Sequence, residues 1–452
     1  AGSYETFSQN ALVSGKRDKI SWLLSANNVM SKGFSSALDA DPSREFDKDG
    51  LSKQNFLLKG GYAFNPRFKV DVQGAYEQFS ADYDEYEFFD APNTQDFKQF
   101  RVNVNPQWIL DKGSLESRIT YSANDRVFTS SFPADLNGQT GQAELIHRHH
   151  LSDKIQMLSG IQYQRMCFDD ALSPDARASF SLLDPYTSLL ADFPLGLNVH
   201  AGVRLNTHSV YGSRPIYNVN PSFVFNKEGS WRYKAIASLS TSYITPSLYQ
   251  LYSAFGNEDL DPEKSRNFEA GFSLYHKRLA LNAVWFSRDE SDPIDFVTLV
   301  DENGEYIGGQ YQNIAQERNV SGVEFDVSVF LSSAITLSGN FACMDTDIAE
   351  SFYKIPKVKY GATLTASPSS PFTFTLKYNY TGDRTIFDFF SFSEIELTSY
   401  SLVDVYAEYT FLKDLTLYGA VNNLFGEDFI ALYGFTTRGR NFNVGMRYNF
   451  RR

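Results

Sequence analysis

The chain has 452 residues and a formal net charge of -13, an acidic balance that speaks against nucleic-acid binding. No stretch approaches the roughly 18 to 20 consecutive apolar residues of a membrane-spanning helix, so a place in lipid would demand a closed sheet, whose alternating strands are compatible with a mean hydropathy of -0.33. Phe, Tyr and Trp make up 15% of the residues, enough to furnish aromatic girdles at two membrane interfaces, while two cysteines exclude a disulfide scaffold or a zinc-type cluster.

Strands are expected from near Tyr4 onward. The first tight connection, Gly15-Lys16-Arg17-Asp18, is followed by a long polar stretch over 28–52 whose acidic run, Asp39, Asp41, Glu45, Asp47 and Asp49, reads as a solvated loop. Beyond a turn at Asn65-Pro66-Arg67 comes a second long stretch, 80–97. There FSADYDEYEFFDAPN sets Asp82, Asp84, Glu85, Glu87 and Asp90 beside Tyr83, Tyr86, Phe88 and Phe89. Oxygen-rich clusters of this kind coordinate calcium or receive cationic ligands, and a plain solvated acidic loop is the competing reading.

The alternation of short and long connections continues. Turns stand at Asp111-Lys112-Gly113, Ser152-Asp153, Asn226-Lys227-Glu228-Gly229, His276-Lys277-Arg278, Ser367 to Pro371 and Lys413-Asp414. Long stretches occupy 124–139, 244–264, 289–315, 382–397 and 426–438. Short turns on one rim and long loops on the other mark an outer-membrane barrel, with the turns in the periplasm. Within this series, His147 and His149 share a strand face near a turn but lack a third ligand, a weak metal pair. Cys167 is expected just after the eighth strand and Cys343 on the sixteenth. Strands are spaced ~4.8 Å apart, so the two thiols stand too far apart to be bridged.

The period of two is cleanest toward the C-terminus. Val323, Phe325, Val327 and Val329 alternate with Glu324, Asp326 and Ser328, and Phe372, Phe374, Leu376, Tyr378 and Tyr380 with Thr373, Thr375, Lys377 and Asn379. Val403, Val405, Ala407, Tyr409 and Phe411 repeat the pattern, as do Phe442, Val444, Met446, Tyr448 and Phe450. The segments number about 21, each roughly 10 to 14 residues long. A bacterial barrel with both ends in the periplasm needs an even number. The expected fold is therefore all-β, a transmembrane antiparallel β-barrel of the 22-stranded type with strand 1 truncated, Ala1-Gly2-Ser3 being its tail.

The segment Tyr243 to Gly271, YITPSLYQLYSAFGNEDLDPEKSRNFEAG, closely resembles one shared by TonB-dependent receptors of the cobalamin, heme and siderophore group. Ser401 to Phe450, with Asn-Asn-Leu-Phe at 422–425 and Gly-Arg at 439–440, is similar to the last strands of those receptors. There the closing aromatic, here Phe450, resembles a signal read by the assembly machinery; Arg451 and Arg452 depart from the usual ending. The resemblance implies a plug domain with a TonB box, expected to be supplied separately or removed, and drive from the TonB-ExbB-ExbD system. A surface lipoprotein is a further candidate partner, and outer-membrane lipid surrounds the barrel.

The expected activity is non-enzymatic uptake of a large scarce nutrient. A cobalamin-like corrinoid leads, because heme receptors of the group carry a His within the stretch matched by Tyr243 to Gly271 and none occurs here. An iron-siderophore, heme, or a plugless pore or lipoprotein scaffold are the alternatives. His208, near an outer loop, keeps heme in view. Two loop sets could meet an apolar-faced ligand: Tyr249, Tyr252 and Phe255, and Phe387, Phe389 and Phe390. Packing between loops, or the interface girdle, is the other reading of both. Calcium at the 82–90 acids is the one candidate cofactor, since the cobalamin receptors of the group hold loop calcium on Asp residues.

Overall fold

The computed structural model describes all residues except 40–45, 87, 173–176, 227–229, 304–305, 349–352, 370, 389–392 and 451–452. Alternating, β-branched and aromatic segments form β1 (Phe7–Arg17), β2 (Ile20–Phe34), β3 (Asp49–Asn65), β4 (Phe68–Tyr83), β5 (Asn93–Leu110), β6 (Gly113–Thr129), β7 (Ala134–Ser152), β8 (Ile155–Asp170) and β9 (Arg177–Asp192). There follow β10 (Leu197–His208), β11 (Gly212–Phe225), β12 (Arg232–Ile244), the short helix α1 (Leu248–Tyr252), β13 (Glu263–His276), β14 (Leu279–Ser291), β15 (Ile294–Val300) and β16 (Tyr306–Asn313). The chain closes with β17 (Arg318–Phe330), β18 (Ile335–Thr346), β19 (Val358–Ser369), β20 (Phe372–Thr381), β21 (Arg384–Asp388), β22 (Ser393–Leu397), β23 (Tyr400–Leu412), β24 (Leu415–Asn422) and β25 (Asn441–Tyr448).

Twenty-one of these strands make one meandering antiparallel sheet in which each pairs with the next. The exceptions to strict sequence order are β14 with β17 and β20 with β23, where the hairpins β15–β16 and β21–β22 stand apart from the sheet. At the far ends, Ala1–Ser3 lies along β25: Ser3 N–H donates to Phe442 O at 2.9 Å and Val444 N–H to Ala1 O at 2.9 Å. Tyr4 and Glu5, both left-handed at φ 61 and 49, then turn the chain into β1. Below that short pairing, no ladder joins β1 to β25 among the described residues.

Registers fix which face each side chain takes. Leu24 pairs with Leu58, Ala270 with Trp285, Trp285 with Val323, and Leu417 with Met446. All of these except Ala270 are exposed large apolar groups, so the apolar rows point to the outside of the sheet. Few apolar side chains are buried, and most of those lie in the long connections: Ala37, Ala91, Leu248, Leu251, Leu260 and Ile348. A soluble globule would show the reverse. No helix is long and apolar enough to cross a membrane.

The opposite face is polar and cross-linked. On β6–β7, Glu116 holds both Arg118 (2.7 Å) and Arg148 (2.8 Å), while Tyr186 on β9 donates to Glu144 at 2.5 Å. Next to it the Arg204 fork meets Asp184 at 3.0 and 2.7 Å and Gln162 at 2.7 Å. Polar rows lining the inside of a wide barrel explain this inversion of the usual protein interior.

Several sequence expectations need correction. Strands reach 19 residues in β7 and 18 in β5, beyond the ~9 to 11 that cross a bilayer, because hairpin ladders continue past the apolar band. For the same reason the loop expected over 124–139 shrinks to 130–133 between β6 and β7. The stretches 289–315 and 382–397 are largely hairpins. Cys167 lies within β8 and not just after it, while Cys343, within β18, is on the sixteenth strand of the main sheet as expected; both are free. His147 and His149 do share a face, their rings 5.5 Å apart, near the short turn to β8.

Candidate ligand-binding face

The long connections gather on one rim. A capping box starts α1: Ser247 Oγ accepts from Gln250 N–H, and Gln250 Oε1 accepts from Ser247 N–H. Leu248, Leu251 and Leu260 are buried beneath it, which fixes the outward side of the helix. The loop then docks on the β15–β16 hairpin. Tyr311 N–H donates to Phe255 O (3.1 Å), Asn257 Nδ2 to Tyr311 O (3.1 Å), and Asp261 N–H to Asn313 Oδ1 (2.7 Å).

These bonds assemble an aromatic cluster. Tyr249 meets Phe168 edge-on at 6.2 Å and Tyr311 at 6.3 Å; Phe296 meets Phe255 at 5.7 Å and Tyr311 at 5.3 Å. Tyr249 and Phe255 still present about a third of their surface, and Tyr252 is half-buried. Of the second aromatic set, Phe387 stacks with Tyr353 at 6.3 Å in a different hairpin, and Phe389 and Phe390 lie outside the described residues. Phe168, Phe296 and Tyr311 were not singled out from sequence. They lie on β8 and β15–β16, so only the docking of the α1 loop across the rim brings them together.

His208 is removed from the ligand face. It is 2% exposed, its Nδ1 accepts from Val210 and Tyr211 N–H groups at 3.1 and 3.3 Å, and its ring packs on Phe180 at 4.4 Å. A histidine so enclosed cannot reach an incoming ligand.

The acidic stretch is organised differently from the sequence expectation. Asp84, 5% exposed, accepts from Ala37 and Ala91 N–H groups and from the Ser35 and Ser36 hydroxyls. Asp82 accepts from Gly50 N–H, Asp90 from Asp47 N–H, and Glu85 from Asn93 Nδ2 and the Ser131 hydroxyl. These four acids therefore tie neighbouring loops together, and Glu87 lies outside the described residues. What converges as a metal-type group is Asp84 with Asp47 and Asp49, their carboxylate oxygens within 4.8 Å of one another. Asp47 and Asp49 belong to the run read from sequence as plain solvation; Asp41 and Glu45 of that run are outside the described residues.

Gly33 makes the approach feasible. The ladder slips between Ser31 and Phe34, with Gly33 at φ +66, and a Cβ there would stand 1.7 Å from Asp49 O. The bulge swings Ser35 and Ser36 under Asp84. Burial would raise the Asp84 carboxyl, but the Ala37, Ala91 and Ser36 donors outweigh it and hold it below its usual range. Asp49, at the outer tip of β3, is pushed up to about 6 by burial first, despite its Ser36 bonds, with Asp84 adding like charge. Its Oδ1 is enclosed without a hydrogen-bond partner.

A raised carboxyl favours the protonated loop, so its contribution is whole below the unfolded value near 4 and is lost as pH climbs toward 6. Half-exposure screens the effect to on the order of 1 kcal/mol. Protection of amides in 35–39 and 84–93, corrected for intrinsic exchange, is expected to fall between about pH 4 and pH 6. A flat profile would show that Asp49 is not charged against Asp84.

Residues 3–424 match the family described as TonB dependent receptor-like, beta-barrel, and the chain belongs to that family of Gram-negative outer-membrane receptors. It shares its fold with the siderophore receptor PirA of Acinetobacter baumannii (14% identity, TM-score 0.83, covering 99% of this chain and 78% of that one). A mutant of the ferric enterobactin receptor of Pseudomonas aeruginosa superposes similarly (15%, 0.81, 98% and 78%). So does the FrpB iron transporter of Neisseria meningitidis (16%, 0.80, 99% and 80%). The apolar outer rows accordingly face outer-membrane lipid, the short turns the periplasm and the aromatic rim the exterior.

Proposed function

We propose that this barrel serves the TonB-driven uptake of an iron-siderophore, the ligand alternative expected above, in preference to a cobalamin-like corrinoid. The observation that carries the reading is the likeness, over nearly the whole chain, to receptors and a transporter named for siderophores and iron. The aromatic rim of Tyr249, Phe255, Phe296 and Tyr311 supports it, since flat faces with sparse polar groups suit a large chelate. Drive would come from the TonB-ExbB-ExbD system through a plug inside the polar lumen, with no chemistry asked of the barrel.

Titration calorimetry and tyrosine fluorescence quenching on the purified protein test the ligand. A ferric catecholate chelate is expected to bind with a Kd of roughly micromolar or tighter while cyanocobalamin gives no signal. Cobalamin binding without chelate binding would reverse the assignment. Tyr249→Ala should weaken the chelate by roughly tenfold, a lost aromatic contact of about 1.5 kcal/mol.

We also propose calcium at Asp47, Asp49 and Asp84, with other oxygens or waters completing a shell of roughly six to eight. The enclosed, unpartnered Asp49 Oδ1 supports it. Calcium at neutral pH should restore the amide protection that is lost between about pH 4 and pH 6, and magnesium should not.

A further inference from the structure

Two histidines at the periplasmic end of the outer wall take no part in the rim or in the uptake proposed above. On β7, Glu144 and Arg148 point into the lumen, where each meets an ion-pair partner, so the residues that alternate with them face outward. That outward row reads Leu145, His147, His149 and Leu151, with both leucines exposed. His149 pairs with Gly113, the first residue of β6, and His150 N–H donates to Lys112 O in the adjoining turn at 2.8 Å. The two imidazoles therefore stand beside the short turns, open to ions of the periplasm. Trp108, opposite Leu115 and stacked on Phe68 at 4.7 Å, belongs to the aromatic girdle at that end.

The rings lie 5.5 Å apart and are tilted by 35°. Both side chains are half-buried, and neither makes a hydrogen bond or ion pair among the described residues. A metal ion about 2 Å from one nitrogen of each ring would stand about 3.2 Å from each centroid. Centroids 5.5 Å apart then correspond to an N–metal–N angle of roughly 120°. One ion can bridge the pair without moving the strand.

Register supplies the third ligand that the sequence did not. Met157 on β8 is directly opposite His149, and Cβ atoms so placed are about 4.5 to 5.5 Å apart, which brings the thioether within reach of the same ion. On the other flank Gly113 leaves His149 uncovered. His147 has Leu115 and Ser159 for neighbours, and the Ser159 hydroxyl is shared with Thr187 at 2.9 Å. None of these outward positions carries a carboxylate, so the oxygen shell of a calcium or magnesium ion has no basis here.

We propose that His147, His149 and Met157 bind one Cu(I) ion at the periplasmic edge of the outer wall. Imidazoles alone would suit zinc or nickel as well; the thioether turns the site toward Cu(I). The ion joins β7 to β8 beside their turn, at the opposite end of the barrel from the rim and its carboxylates.

Anaerobic titration with Cu(I), in competition with a colorimetric copper chelator, reads stoichiometry and affinity on the whole chain. Cys167→Ala with Cys343→Ala serves as the parent, since it removes the free thiols as rival ligands. One Cu(I) per chain is expected. His147→Ala with His149→Ala should abolish retention, while Met157→Leu should weaken Cu(I) roughly tenfold and leave Zn(II) binding unchanged. His150→Ala, on the lumen side of the same strand, should change neither. Unchanged heat-modifiable mobility on gels confirms that each variant is folded. The proposal fails if the double histidine variant retains the ion, if Met157→Leu leaves Cu(I) binding as it was or weakens both metals alike, or if equimolar Zn(II) displaces Cu(I) from the parent.

Discussion

Arg204→Ala is expected to be among the most destabilising single changes in the barrel wall, by roughly 3 to 5 kcal/mol. Asp184 is 3% exposed, and its carboxylate meets Arg204 Nε and Nη2, Asn206 Nδ2 at 3.4 Å and Thr207 N–H at 3.1 Å. Only the guanidinium brings charge. It also lies over the Tyr186 ring at 5.5 Å and reaches Gln162, so one side chain joins β8, β9 and β10. Truncation leaves an enclosed anion with neutral donors alone. Arg204→Lys keeps the charge but loses the fork, and should cost about half as much. Arg204→Met combined with Asp184→Leu removes both charges and should recover most of the loss. Urea midpoints of the folded gel band measure all three. A midpoint for Arg204→Ala within about 0.5 kcal/mol of the parent would mean that water in the lumen already screens the pair.

The wall was legible in the sequence because its rule is local. Val323 and Phe325, or Phe442 and Val444, declare their face by parity alone, and the short turns at Asp111 or Lys413 punctuate the count. The sheet accordingly holds the 21 strands that the count gave. Strand ends were less legible. Asn124 to Gln139 is polar enough to read as loop, yet the β6–β7 ladder runs on outside the band, where alternation carries no apolar signal.

The rim is a different problem, because its contacts are long-range. Asp49 and Asp84 are separated by a whole hairpin, and what joins them is a bulge at Gly33 and two serines. Neither the spacing of acids in 82–90 nor that in 39–49 encodes that meeting. Tyr249 and Phe255 stand out in the sequence as aromatics of a long loop, whereas Phe296 and Tyr311 lie on a hairpin whose docking the sequence does not announce.

Asp84→Ala should unfasten the rim while leaving the wall intact. The substitution strips the acceptor from two buried backbone N–H groups, those of Ala37 and Ala91, and from the Ser35 and Ser36 hydroxyls. Ala37 is 0% and Ala91 8% exposed, so water cannot replace the lost oxygens without opening the loops. At about 1 to 3 kcal/mol for each orphaned buried donor, the local loss should reach roughly 3 to 5 kcal/mol. Asp84→Asn retains one carbonyl oxygen but turns the other position into a donor facing donors, so it should lose nearly as much. Asp84→Glu overfills the site. Hydrogen exchange in 35–39 and 84–93 should accelerate by roughly two to four orders of magnitude, and calcium should no longer slow it. The urea midpoint of the barrel should stay put, since Asp84 touches no residue of the membrane band. Rim and wall would then be separate cooperative units, which a ligand-gathering surface on a rigid cylinder requires. A shift of the whole-barrel midpoint with unchanged loop exchange would show instead that Asp84 supports the wall.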